Sequence, residues 1–376
     1  MKIALVVPGG VDRSGEVRVV PALLALIQRL AERHEVHVYA LRQEAAPGHW
    51  PLLGAQVHNI GGRSTWLGLA RAVAAIRAEH RAAPFDLVQS VWSGPCGLVA
   101  VAAARLLGRP SAIHLAGGEL VAIKRIGYGG RQTWRGRLRE ALVLRAATQL
   151  TAASAPMLDQ LAALGHGRAR RIPLGVDLDT WPARAPQPRE PQAPLRLVHV
   201  ASINRVKDPF TLLYAMALLL RMGVDFHLDI VGEDTLHGQI QALARRLGLA
   251  EQIRFRGFLS RAQAWPVVAA AHVHLVTSLH EAGPLALLEA AVAGVPSVGT
   301  RVGHLAEWAG EAALAVDVGD AQALAGAVAQ LGRDEGLRLR LAHEAQRRAL
   351  REDADHSAAL MEAMFEEALL AAPSPR

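Results

Sequence analysis

The 376-residue chain has a single cysteine, Cys96. No disulfide can form within it, and a reducing cytoplasmic setting is expected. A lone thiol usually fills a small buried space, so Cys96 is read as a core residue and not as a nucleophile. Aromatic residues make up only 4% of the sequence. That is little for base stacking, and no nucleic-acid module is recognisable. No apolar run reaches the ~18 residues of a membrane span. The opening MKIALVVPGG is not read as a signal peptide, because its apolar run is short and breaks at Pro8-Gly9-Gly10. That opening also lacks the G-x-G-x-x-G spacing of dinucleotide enzymes. Neither His34 with His37 nor His272 with His274 forms a metal pair, the second having no third ligand in view. No Asp-x-Asp motif ends a strand, Asp177-Leu178-Asp179 having the spacing but the wrong context. No catalytic metal and no other cofactor are therefore expected. No repeat of 20–50 residues is visible, which excludes a solenoid.

What is present points to two α/β domains. A chain of this length is long for one core, and 51% of it is apolar. Strands are expected at Ile3–Val7, Glu35–Ala40, Asp86–Ser90, Ser111–Leu115 and Gln149–Ala152, with helices over Val17–Arg33 and Ala155–Ala163 and after Pro95. Such alternation argues for a parallel sheet covered on both faces. The stretch Asp179–Pro194 (DTWPARAPQPREPQAP) has no periodicity and reads as extended. Alternation then restarts: strands at Leu195–Val200, His227–Val231 and Ile253–Arg256, helices over Thr211–Met222 and Leu236–Leu247. A final amphipathic helix is expected over Asp355–Leu370.

Charge is uneven. Residues 1–185 carry 23 Lys+Arg against 12 Asp+Glu, and the remainder 18 against 22. The basic half implies an anionic partner there. Its densest run, Lys124–Arg139 (KRIGYGGRQTWRGRLR), holds six basic residues with Tyr128 and Trp134. This run reads either as a surface for anionic lipid or a phosphorylated ligand, or as a solvated helix face. Both readings stay open.

The most informative stretch is Ser278–Val302, SLHEAGPLALLEAAVAGVPSVGTRV. Val273–Thr277 is a short buried strand, and a loop carrying Glu281 follows. Pro284 opens a helix, as proline does at the first helical position without loss of a bond. A helix start at a strand end is an anion site. Glu289 lies about a turn and a half along that helix, flanked by apolar residues. An exposed helix glutamate is the plain alternative, but a buried carboxylate needs partners. Lys207 ends a short loop after Leu195–Val200, where open α/β sheets bind ligands. A lysine at a helix start opposes the macrodipole, so its position needs a reason.

These pieces resemble the retaining GT-B glycosyltransferases of family four (glycosyl transferases group 1). The resemblance rests on the E-x7-E pair Glu281 and Glu289, the opening KIALVVPGG, HLAGGE (His114–Glu119), the hinge-like RIPLGVD (Arg171–Asp177), HVASINRVKD (His199–Asp208), and DIVGED followed by IRFRGFLS. Asp177 fits that hinge motif. The resemblance implies two Rossmann-like doubly wound parallel-sheet domains facing a cleft. Residues 1–175 would form the acceptor domain and 176–352 the nucleotide-sugar domain, with a C-terminal helix, about 353–376, crossing back to the first. It implies His114, Lys207 and Glu281 as catalytic residues. Donor contacts would come from Gly9, Gly10, Ser202, Arg205, Lys207, Gly232, Phe258, Leu259, Gly283, Pro284, Leu285 and Glu289. The acceptor would meet Glu119, Arg131 and Arg135. The chain departs from the family at Ser202, where an arginine usually stands five residues before the lysine, and Arg205 is the candidate replacement. The implied activity is retaining hexosyl transfer from a UDP- or GDP-linked sugar to an acceptor hydroxyl. The acceptor would be lipid-linked or phosphorylated, and the protein cytoplasmic at the inner membrane face. Rival readings are a nucleotide-sugar epimerase or phosphorylase on the same fold, and a non-catalytic binder of an acidic polymer.

Overall fold

The strand Lys2–Val7 is buried end to end, as a central parallel strand covered on both faces must be. In the computed structural model, which describes residues 1–62 and 66–371, it stands fourth in an eight-stranded sheet. The chain divides into two units, Met1–Gly175 with Ala354–Arg376, and Val176–Asp353.

The first unit contains β1 (Lys2–Val7), β2 (Glu35–Ala40), β3 (Gly48–Leu52), β4 (Ala55–Asn59), β5 (Leu87–Val91), β6 (Ser111–Leu115), β7 (Gln149–Ala152) and β8 (Arg170–Arg171). Their order is β3-β4-β2-β1-β5-β6-β7-β8. All neighbours pair in parallel except β3 with β4. That hairpin was not among the expected elements. Its two-residue turn, Leu53-Gly54, has φ of 49° and 82°, the double positive φ of a type I′ turn. Leucine in the first position hides the usual Asn-Gly signal.

The first helix also differs from expectation. It spans Pro21–Ala31 and not Val17–Arg33. Val20 is extended, as residues before proline tend to be, and Arg18 has φ 53°. The helix Ala354–Ala371 belongs to this unit. Met361, Met364 and Phe365 share a core with Ile3, Leu5 and Leu23, and Arg29 pairs with Asp355 at 2.6 Å. Residues 372–376 of the expected terminal helix lie outside the described residues.

The second unit contains β9 (Leu195–Val200), β10 (Phe226–Val231), β11 (Ile253–Gly257), β12 (Val273–Val276), β13 (Ser297–Thr300) and β14 (Ala313–Val316). The order β11-β10-β9-β12-β13-β14 is parallel throughout. This is the doubly wound order in which the chain builds outward from one central strand and then reverses. The irregular stretch 179–194 is pinned along this unit. Trp181 Nε1 donates to Glu289 O at 2.8 Å and Arg184 N to Val292 O at 3.0 Å. The helix expected from Leu236 begins instead at Gln239, because the Asp234 carboxylate takes the amides of Leu236 and Gly238 at 2.7 and 2.8 Å in a side-chain-closed turn. None of the described helices is long and apolar enough to cross a membrane.

Candidate active site

In the second unit the strand order reverses between β9 and β12, so the chains leaving their C-terminal ends diverge and open a crevice. The loop after β9 carries Lys207; the loop after β12 carries Glu281. Backbone and side-chain bonds lace the two loops together. Leu279 N donates to Val206 O at 2.8 Å, and Thr277 Oγ1 to Lys207 O at 2.8 Å. Asn204 Oδ1 accepts the amides of Val206 and Lys207, both at 3.1 Å. Asp208, with φ 46°, caps the helix Pro209–Arg221 through Thr211 N at 3.3 Å. The outcome is that Lys207 Nζ reaches Glu281 Oε1 at 2.5 Å, and Ser278 Oγ donates to the same oxygen at 2.5 Å. The ammonium that opposes the helix dipole is thus neutralised by a carboxylate 74 residues away in sequence.

Gly283 and Pro284 lead into the helix Leu285–Val292. Pro284, expected from the sequence as the first residue of this helix, is instead its cap, with an extended backbone, and the helix starts at Leu285. Leu287, Leu288, Ala290, Ala291 and Val292 are buried, and so is Glu289. Burial pushes the Glu289 carboxyl up to about 7, against the pull of Arg261. Arg261 Nη1 lies 3.6 Å from Glu289 Oε1, and its guanidinium sits over the Trp181 ring at 5.6 Å. Arg261 Nε and Nη2 are buried without partners among the described residues. A half-satisfied guanidinium beside a desolvated carboxyl invites polar ligand atoms.

Sequence reasoning missed Arg261 and Trp181. Arg261 directly follows the IRFRGFLS segment and starts a helix, Arg261–Ala269, capped reciprocally by Ser260 and Gln263. The S-x-x-Q spacing was the available signal. The other expected donor residues are spread around the same strand ends. Ser202 and Arg205 are exposed in the loop after β9, and Phe258 is 57% exposed after β11 with Leu259 half-buried beside it. Gly232, after β10, has φ 147°, and a Cβ there would stand 2.1 Å from Ala201 O, so only glycine fits.

In the first unit, the turn after β1 is held by Gln43, whose Oε1 accepts from Gly10 N at 2.7 Å and Val11 N at 3.0 Å. Gly9 packs against the same side chain. His114, next to last in β6, is fully buried; its Nδ1 meets Thr151 Oγ1 at 2.9 Å, and burial lowers its pKa to about 3. It is a neutral imidazole with no exposed atom. Glu119 accepts from Gly117 N at 2.7 Å and from Ser93 N and Ala116 N, both at 3.3 Å, while burial raises it to about 7. Arg131 is half-buried, and Arg135 is exposed with its guanidinium over Trp134. Cys96 is buried, its thiol pushed up to about 12.

Among the described residues, Glu35, His37 and Glu79 place ligand atoms within 4.8 Å of one another. The ammonium of Lys2 already fills that position, 2.6 Å from Glu79 and 3.0 Å from Glu35. The cluster is an ion-pair network at the sheet.

Two doubly wound parallel sheets in tandem, with a lysine and two glutamates gathered around the reversal point of the second, define the GT-B class. The sequence matches the family model for glycosyl transferases group 1 over residues 183–348 and that for glycosyltransferase family 4 over residues 19–180; the chain belongs to this family. It is 32% identical over 164 residues to the MMP alpha-(1->4)-mannosyltransferase of Mycolicibacterium hassiacum, covering 43% of this chain and 38% of that protein. The matches span about half or less of the length of such curated relatives. In structure it is similar to sucrose-phosphate synthase from Thermosynechococcus elongatus, with a TM-score of 0.84 at 20% identity, covering 98% and 99% of the two chains. It is likewise similar to Anabaena HepE in complex with UDP-glucose, with a TM-score of 0.73 at 18% identity and coverage of 98% and 100%.

Proposed function

We infer that the chain transfers a sugar from a UDP- or GDP-linked donor to an acceptor hydroxyl with retention of anomeric configuration. The observation that carries this reading is the contact of Lys207 with Glu281 at the reversal point of the second sheet, with Glu289 on the helix that follows. The diphosphate lies by Lys207, Arg205 and the start of the helix Leu285–Val292, where backbone N–H groups and the helix dipole favour negative charge. The ribose hydroxyls donate to Glu289. Glu281, released in part from Lys207 by the incoming phosphate, faces the sugar and balances positive charge at the anomeric carbon. As the bond from anomeric carbon to phosphate oxygen breaks, its electron pair passes to the diphosphate, and Lys207 meets the charge that develops there. Placing such charges before reaction is usually the largest catalytic contribution. The acceptor hydroxyl forms the new bond on the same face and yields its proton to the departing phosphate oxygen. The acceptor, lipid-linked or phosphorylated, belongs to the basic first unit, which acts in the cytoplasm at the inner membrane face.

The reading is tested by calorimetry with a panel of nucleotide sugars, followed by detection of glycosylated product. Epimerised or phosphorolysed donor without a glycosyl product would favour the rival enzymes on this fold. Binding of an acidic polymer with no nucleotide affinity would leave a non-catalytic binder.

With Lys207 and helix-start amides at the diphosphate, no metal is required. Turnover is expected to persist undiminished in excess EDTA. Complete loss, restored by Mg²⁺ or Mn²⁺, would overturn this account of the phosphate site.

A further inference from the structure

Two cavities adjoin in the first unit. The inner one lies where that sheet's own order reverses, between β1 and β5, the place where open α/β sheets take ligands. It measures about 250 Å³ and is lined by Pro8 and Trp92 from the two strand ends, by Glu119, and by Arg139 and Glu140 of the helix Trp134–Ala146. Glu140 is fully buried and accepts from Ser93 Oγ through one oxygen. Its other oxygen and Arg139 Nε have no partner among the described residues. Buried polar atoms are nearly always bonded, so this lining is incomplete without polar ligand atoms.

The outer cavity is an open groove of about 770 Å³. Its walls include Trp66, Leu69 and Leu98 from two helices, and Trp134, Leu138 and Leu142 from the third. The last three recur every fourth residue, so they form one stripe of that helix. They are 62%, 52% and 54% exposed, and Trp66 is 80% exposed. A contiguous apolar patch of this kind marks an interaction site. The rim is cationic: Arg135 and Arg139 line the groove, and residues 124–139 hold six basic and no acidic side chains.

The two cavities share Pro95 and Arg139. A guanidinium thus stands where a space holding the carboxyls of Glu119 and Glu140 meets a hydrocarbon-lined one. We propose that together they hold a single amphiphile. Its polar head enters the inner cavity beside Glu119 and Glu140, its phosphate meets Arg139 and Arg135, and its hydrocarbon tail fills the groove. This rests on the reading of the first unit as the acceptor side, and assigns a tailed phosphate as the acceptor class. Arginine suits the role because its planar fork matches phosphate oxygens. A tailless sugar phosphate would leave the groove uncovered. A flat membrane surface would leave the inner cavity unfilled.

The test titrates n-butyl, n-octyl and n-dodecyl phosphate, each below its critical micelle concentration, and inorganic phosphate into the full chain by calorimetry. Affinity is expected to rise with chain length, by up to about fourfold per methylene. Leu138→Asp with Leu142→Asp should weaken dodecyl phosphate by about tenfold or more and leave inorganic phosphate unchanged. Both positions are exposed, so the fold should survive. Arg139→Gln should weaken all the alkyl phosphates. Affinity independent of chain length, or indifferent to the double substitution, would overturn the proposal. So would binding to phosphatidylglycerol vesicles without binding to monomeric dodecyl phosphate, which would make the groove a membrane-docking face. UDP and GDP titrated in parallel report on the second unit. Loss of nucleotide binding alone would sink the transferase reading and leave the amphiphile site standing.

Discussion

Lys207→Ala is expected to lower turnover of the nucleotide sugar by about 10²–10³-fold at saturating donor, the size typical of losing one charge-stabilising donor at a reacting oxygen. The melting temperature should fall by no more than a few degrees. The two outcomes separate because of where the side chain sits. Lys207 stands in a loop with its side chain 26% exposed, paired among the described residues with Glu281. A partly exposed ion pair contributes about 0–1 kcal/mol, and the upper end of that range moves a domain of this size by roughly 2–4 °C. Glu281 would keep its bond from Ser278 Oγ, and the loop would keep its Asn204 and Thr277 ties. Steady-state kinetics with donor saturating, beside a thermal melt, decides the matter. Unchanged turnover removes Lys207 from the mechanism, and a large drop in melting temperature makes its role structural.

Glu289→Ala should weaken nucleotide diphosphate binding about ten- to a hundredfold at pH 8, since a hydrogen bond to a charged group is worth roughly 1.5–3 kcal/mol. A pH dependence should accompany it. Burial raises the Glu289 carboxyl to about 7, so the ionised acceptor forms only as pH rises through that value. Wild-type affinity relative to Glu289→Gln, which cannot ionise, should therefore climb between about pH 6 and 8. Stability runs the other way. A carboxyl raised above its unfolded value of 4.5 stabilises the fold fully below that pH, and the contribution is lost as pH climbs through about 7. The glutamine variant should lack this slope. Calorimetry with UDP and GDP across this range, with melts on the same samples, reads both effects. Equal affinities for wild type and alanine at pH 8 would end the ribose role.

The parallel strands were legible because each is a short apolar run bounded by turn residues. Several boundaries match to a residue, as at Glu35–Ala40 and Gln149–Ala152. The hairpin of β3 and β4 was not, because Gly48–Asn59 interleaves buried Trp50, Leu52 and Val57 with Pro51 and a left-handed Leu53. Helix starts slipped wherever a side chain or proline held the preceding turn, as Asp234 does before Gln239. For the candidate site, motif spacing pointed to Lys207, Glu281 and Glu289 separately. The joining of the first two at 2.5 Å follows from strand order, which no local pattern states. Arg261 and Glu140 escaped for the same reason. Each lies on an ordinary helix and becomes notable only through burial against residues distant in sequence.

The helix Ala354–Ala371 fixes an order in time as well as in space. Phe365 and Ile3 belong to one core, so residues 1–175 cannot finish packing until the helix Ala354–Ala371 has left the ribosome. At roughly 5–20 residues per second, that interval is about 10–40 s. Throughout it, the apolar faces of Ile3, Leu5 and Leu23 lack their cover from Met361, Met364 and Phe365. All strands of the second sheet, by contrast, lie within residues 195–316. The half that begins synthesis first is thus the half completed last, and during translation it is the part of the nascent chain that needs shelter from aggregation.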